Sequence, residues 1–219
     1  MMLMNLRPVA SAVIVACVLA ACATRQPIAL DGAEIREYEG QRLSSVDDFR
    51  ENSIRGPQVV PVDDYRLTVT GLVDRPLRLT YDEVVTRQRV SKVVTLHCVE
   101  GWDATILWEG VLIYGLLEEA GVRDSANTVI FHAADGYTSS LSLRFVRDAK
   151  IVLAHRMNGV TLPSARGFPF QVVAESKWGY KWVKWVTKVE ASDDPLYRGF
   201  WERQGYNNLG DFTGPKLEP

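Results

Sequence analysis

Cysteine is scarce in this chain: three residues in 219, at positions 17, 22 and 98. Three cysteines do not make a disulfide framework. Histidine is equally scarce, and His97, His132 and His155 lack the short pair spacings of zinc sites. There is no Cys-x-x-Cys-His for covalent haem and no cysteine set for an iron–sulfur cluster. No period of 20–50 residues recurs, and no segment is low in complexity. The formal charge of −2 gives no electrostatic footprint for nucleic acid. Repeat arrays, self-contained electron carriers and nucleic-acid binding are thereby excluded. What remains is 47% hydrophobic residues in a length that suits one domain.

The start of the chain reads as a targeting segment. Arg7 is the only charge before an apolar run from Val9 to Ala21, interrupted by Ser11. The run is short for a transmembrane helix and suits a signal h-region. It ends in Leu19-Ala20-Ala21-Cys22, which resembles a bacterial lipoprotein signal. Residues 1–21 are therefore expected to be a signal peptide, Cys22 the lipidated residue, and 22–43 a tether. The domain is expected over 44–219, closing in an irregular tail, on the periplasmic side of a bacterial membrane. The signal carries no Arg-Arg pair, so it gives no sign of export in the folded state.

Along the domain, Tyr65 to Thr70 alternates with the strand period and is closed by Gly71. Thr80 and Glu83 form a capping-box signature opening a helix through Arg89. Lys92 to Val99 predicts a strand with Val94, Leu96 and Cys98 on one face and His97 on the other. Leu112 to Ala120 predicts a helix, with Gly121 just past its end. Thr128 to Ala133 predicts a strand leading to an Asp135-Gly136 turn. Ile151 to Met157 and Val160 to Leu162 predict a hairpin about Asn158-Gly159. Phe168 to Ala174 and Lys181 to Glu190 predict two more strands. The class is α+β, with a mostly β mixed-sheet core and a few short helices.

With Cys17 removed and Cys22 lipidated, Cys98 stands without a disulfide partner. It can be a buried small hydrophobe, a reactive nucleophile or a metal ligand. Strand alternation turns His97 away from it, which argues against a Cys–His dyad. A soft thiolate suits a metal that brings most of its own ligands. Lys177-Trp-Gly-Tyr-Lys-Trp-Val-Lys-Trp185 gathers cations and aromatics, as an anionic cofactor or a plain strand would both allow. A strand from Lys181 puts Lys181 and Lys184 on opposite faces.

Cys98-Val-Glu-Gly-Trp102, followed by Trp108-Glu-Gly-Val-Leu-Ile113 and Leu116-Leu117, resembles the cofactor-binding signature of the sulfite oxidase superfamily. It is most similar to the branch holding the bacterial protein-methionine-sulfoxide reductase catalytic subunit. The resemblance extends through Phe49-Arg-Glu-Asn-Ser-Ile54, Asp135-Gly136-Tyr137, Asn158-Gly159, Leu162-Pro163 and the lysine-rich segment. It implies a molybdenum–molybdopterin cofactor (Mo-MPT) whose metal is ligated by Cys98, with Glu100 and Trp102 in the substrate wall. It further implies cofactor contacts from Asn52, Ser53, Arg166, Trp182, Val183 and Lys184, with Lys181 adding charge. Gln171 stands where the family usually carries arginine. The implied activity is oxygen-atom transfer: reduction of a small-molecule or protein-bound S- or N-oxide, or sulfite-type oxidation. Electrons would pass through a membrane haem protein or a periplasmic cytochrome. The alternatives are a cofactor-less lipoprotein keeping the fold as a binding or assembly module, and a thiol-redox protein using Cys98 alone.

Overall fold

The computed structural model describes residues 34–218. The expected signal peptide, Cys22 and most of the expected tether lie outside the described residues. Glu34 is already fastened to the domain. Its carboxylate accepts hydrogen bonds from Ser45 Oγ, Val46 N and Asn158 Nδ2 at 3.0, 2.7 and 2.9 Å. Within the stretch read as tether, β1 (Glu37–Tyr38) and β2 (Gln41–Arg42) pair as a small hairpin, and Leu43 is buried.

Two five-stranded sheets follow, the first mixed and the second antiparallel throughout. One has the order β4-β3-β12-β7-β8, built from β3 (Leu67–Gly71), β4 (Leu77–Leu79), β7 (Thr128–Ala133), β8 (Thr138–Ser142) and β12 (Val186–Ser192). Its β12–β3 pair is parallel and the others antiparallel. The second has the order β10-β9-β6-β5, with β11 also pairing β9. Its strands are β5 (Val90–His97), β6 (Asp103–Leu112), β9 (Val152–Met157), β10 (Val160–Thr161) and β11 (Gln171–Val173). The helices are α1 (Tyr81–Val85), α2 (Ile113–Glu119) and α3 (Leu143–Asp148). One continuous core joins both sheets through Trp108, Phe131, Phe170, Leu117 and Val189. Among the described residues no helix is long and apolar enough to cross a membrane.

The α+β class with a β core is what the sequence predicts. The capping box is formed: Thr80 Oγ1 accepts from Glu83 N and the Glu83 carboxylate accepts from Thr80 N. Its helix ends at Val85 rather than Arg89, one turn after the cap. Asn158 and Gly159 both take positive φ, +46° and +78°, as a type I′ hairpin requires. Val94 and Leu96 of β5, with Cys98 just beyond it, are buried on one face as the alternation demands.

The longest strand, β6, does not follow the strand period. Most of its residues are buried on both faces, so apolar and polar positions do not alternate. At Gly110 the β6–β9 register shifts, and a side chain there would collide with the carbonyl of Leu153. The segment from 138 to 148, where no element is predicted, forms β8 and α3, the latter capped by Ser142 Oγ accepting from Phe145 N. The predicted strand Lys181–Glu190 is corrected. Gly179–Lys181 is a turn of 3-10 helix, Trp185 sits at φ +52°, and pairing begins only at Val186. A residue in the left-handed region breaks a strand, so alternation does not decide where Lys181 and Lys184 point.

Candidate active site

Five segments converge on a cavity of about 430 Å³: the loop 49–56, the β5–β6 turn, the Asp135–Tyr137 turn, residues 165–185 and the tail. Cys98 follows β5 directly, in a five-residue turn that leads into β6. Cys98 N donates to Trp102 O at 2.9 Å and Gly101 N to Cys98 O at 3.0 Å. Gly101 sits at φ +91°, open to glycine at little cost, which is why the turn needs it. The turn presents the Cys98 thiol to the cavity while keeping it buried. Asn52 Nδ2 reaches the sulfur at 3.6 Å. Burial pushes the thiol up, and the nearby Glu100 carboxylate adds to this, while backbone and Asn52 hydrogen bonds and Lys216 pull it down.

Glu100 and Trp102 line the cavity beside Cys98. Glu100 pairs with Arg50 at 3.6 Å at the exposed edge. Trp102 packs on Phe49 at 5.7 Å, and its buried indole Nε1–H has no acceptor within the protein. Arg166 is buried in the 3-10 turn Ser164–Arg166 with its guanidinium 3.9 Å over the Phe49 ring. It donates to the carbonyls of Val46, Phe49 and Arg50 at 2.6, 2.6 and 3.3 Å. Lys184 pairs with Glu51, and burial lowers its affinity for the proton. Asn52, Ser53, Gln171 and Trp182 also line the cavity.

Val183 and Lys181 do not line it. Val183 is wholly buried, its carbonyl accepting from Val172 N at 2.8 Å. Lys181 Nζ instead meets the buried Glu202 carboxylate at 2.6 Å. The lysines of the aromatic-rich segment thus each hold a different carboxylate: Lys177 on Asp211, Lys181 on Glu202 and Lys184 on Glu51.

Arg50, Glu51 and Tyr137, which lie in the quoted motifs without an expected role, and Trp201 and Tyr206, which no motif marks, also line the cavity. Tyr137 Oη donates to Tyr180 O at 2.5 Å, and burial holds its phenol well above the usual range. The tail that carries Trp201 and Tyr206 has no periodicity, yet it is strapped down along its length. Trp178 N donates to Gly210 O at 2.7 Å, Lys216 Nζ to Val99 O at 2.8 Å, and Phe212 stacks on His97 at 4.4 Å.

Residues 55–201 match the family described as oxidoreductase molybdopterin binding domain. An uncharacterized oxidoreductase, YuiH, of Bacillus subtilis is 34% identical over 156 residues, 71% of this chain and 78% of its own. A putative protein-methionine-sulfoxide reductase subunit, YedZ1, of Azospira oryzae is 34% identical over 151 residues, 69% of this chain and 57% of its own. This chain thus spans most of the Bacillus protein but little over half of the Azospira one. The sulfane dehydrogenase SoxCD of Paracoccus pantotrophus superposes with a TM-score of 0.65 at 21% identity, over 88% of this chain and 58% of that one, which shows the shared fold.

Family membership implies a molybdenum–molybdopterin cofactor, and the donor set fits it. The cavity offers one buried thiol without a disulfide partner, an indole N–H lacking an acceptor, amides at Asn52 and Gln171, cations at Lys184 and Arg166, and aromatic walls. A soft sulfur for the metal and charge-assisted donors for an anionic tail are what such a group requires. The chain belongs to the oxidoreductase molybdopterin-binding domain family, within the sulfite oxidase superfamily.

Proposed function

We propose that this chain reduces an uncharged S- or N-oxide, at the outer side of a bacterial membrane to which Cys22 anchors it. The carrying observation is that every cation lining the cavity already has a partner. Arg50 pairs with Glu100, Lys184 with Glu51, and Arg166 donates to three backbone carbonyls. Asp135 adds a further carboxylate to the lining. An anionic substrate such as sulfite would have to shed water here beside an anionic cofactor that already takes up the charge of Arg166 and Lys184. A neutral oxide carries no such penalty.

In the reaction the S–O or N–O bond breaks, the sulfur or nitrogen gains two electrons, and the oxygen leaves as water after taking two protons. The electrons come from a membrane haem protein or a periplasmic cytochrome. When bound, the cofactor supplies the two-electron, oxygen-accepting centre. Cys98 would be its thiolate ligand, with Asn52 orienting the sulfur. Ser53, Arg166, Gln171, Trp182 and Lys184 would hold its organic part, with Val183 backing that wall, and Glu100 and Trp102 would face the substrate. Lys181 takes no part in holding it: its ammonium is engaged by Glu202 away from the cavity.

The test uses metal-loaded protein. Dimethyl sulfoxide and trimethylamine N-oxide should each oxidise reduced benzyl viologen, while sulfite should drive ferricyanide reduction far more slowly. Sulfite turnover without oxide turnover overturns the reading. Cys22→Ser should move the protein from the membrane to the soluble fraction; unchanged partition refutes the anchor.

A further inference from the structure

Glu202 is a carboxylate without solvent contact in the middle of the tail. Its Oε1 accepts from Lys181 Nζ at 2.6 Å and from Ser139 Oγ at 2.5 Å. Lys181 is equally enclosed, at 1% side-chain exposure against 0% for Glu202. A fully buried ion pair adds little over a well-packed apolar pair in net stability, because desolvation offsets the attraction. Neither member lines the cavity, so contact with a ligand does not account for the charges.

The neighbours of the pair do line it. Trp201 immediately precedes Glu202, and Tyr206 follows four residues later; both stand at the cavity wall. Tyr206 N donates to Trp201 O at 3.2 Å, and the two rings lie 5.4 Å apart. Tyr206 also meets Tyr180 edge-on at 5.1 Å. Between the two rings, Glu202–Gln204 is a single 3-10 turn closed by Gly205 at φ +93°. On the other side, Phe200 N donates to Thr138 O at 2.9 Å. A side chain at Gly199 would strike the Thr138 carbonyl and come within 2.7 Å of Glu202 Oε2. Trp201 itself is 37% exposed and lacks the burial that would fix a side chain unaided. The position of this aromatic rim thus depends on what anchors the turn beneath it.

We propose that Glu202, through its ion pair with Lys181, is a positioning residue that seats Trp201 and Tyr206 at the cavity rim and thereby sets the preference for substrates carrying an aryl or other flat apolar group. This rests on the oxide-reducing reading above. The pair fixes one register of the tail, and the two rings then form an apolar wall at the mouth. Small oxides pass it without touching both rings; larger ones gain affinity from it.

The experiment compares wild type, Glu202→Gln and the double variant Lys181→Met with Glu202→Leu, all metal-loaded. The double variant keeps the volume without charge and covers the case in which Glu202→Gln fails to fold. Molybdenum per chain and kcat for dimethyl sulfoxide should stay within about twofold in the folded variants, whereas KM for methyl phenyl sulfoxide should rise about tenfold, the loss of one good aromatic contact. Trypsin cleavage after the exposed Arg203 should quicken by a similar factor, about tenfold, as the turn opens. A purely space-filling role predicts wild-type KM ratios and cleavage rates in the double variant, and that result overturns the proposal. If loaded wild type turns over neither sulfoxide, the oxide reading fails on its own. Binding of methyl phenyl sulfoxide, followed by tryptophan fluorescence, then decides the positioning role: weaker binding in the variants supports it, equal binding refutes it.

Discussion

Asn52 Nδ2 and Cys98 Sγ stand 3.6 Å apart, joining the loop before β3 to the turn after β5 across 46 residues of sequence. The amide marks the side from which the sulfur is held. Cys98→Ser should abolish molybdenum retention and turnover while altering unfolding free energy by no more than about 1 kcal/mol, since the volume hardly changes. Asn52→Ala should leave the metal partly bound and lower its affinity about 10- to 100-fold, as loss of an outer-shell partner does. Elemental analysis after extensive dialysis, beside denaturant unfolding, checks both.

The Lys184–Glu51 pair makes a prediction of opposite signs. Lys184→Met removes a buried cation and should weaken cofactor retention by at least about tenfold, the value of one charge-assisted hydrogen bond. Glu51→Gln frees the ammonium for an anion and should strengthen retention. Competition for the released cofactor by a standard apoprotein measures each, and equal retention in the two variants would contradict the assignment.

His155 is buried between Tyr81 and Phe170, and burial with the charges of Arg156 and Arg89 pushes its imidazole down to about 4. Between pH 6.5 and 4 the unfolded chain therefore takes up a proton that the folded chain refuses. The stability associated with the neutral ring is full above about pH 6.5 and falls as pH drops, by up to about 3 kcal/mol at pH 4. His155→Leu should remove this part of the slope. Urea unfolding of both proteins at half-unit steps gives the difference, and parallel curves would count against it.

Gly110→Ala should force β6 and β9 apart at the register shift, because the added carbon meets the Leu153 backbone rather than a movable side chain. A cost of about 1–3 kcal/mol or more is expected. Thermal unfolding of the metal-free protein measures it directly.

The sequence carries the fold class, the Thr80–Glu83 cap, the Asn158-Gly159 hairpin and the burial of Cys98, because each is written in local chemistry: a hydroxyl three residues before a carboxylate, two residues tolerant of positive φ, a period of two. It hides β6, whose two faces are both covered, and misreads residues 181–185, where Trp185 in the left-handed region ends what the composition suggests is a strand. It brings Asn52, Arg166, Gln171 and Lys184 to the cavity by resemblance, but sends Lys181 and Val183 there too. Nothing near Lys181 in sequence announces Glu202, 21 residues away, as its partner. The aromatic rim is invisible for the same reason: Trp201 and Tyr206 lie in a tail whose order comes from distant contacts.

Those distances also bear on how the chain reaches its working state. Lys184 and Glu51 are 133 residues apart, Arg166 and Val46 120, Lys216 and Val99 117. Closures of this span are entropically costly and slow, and they follow the local hairpins and helices in time. Cavity formation is therefore expected to come late in folding, after the local hairpins and helices. Metal uptake by refolding protein should track completion of the whole structure, with a lag behind the recovery of secondary structure.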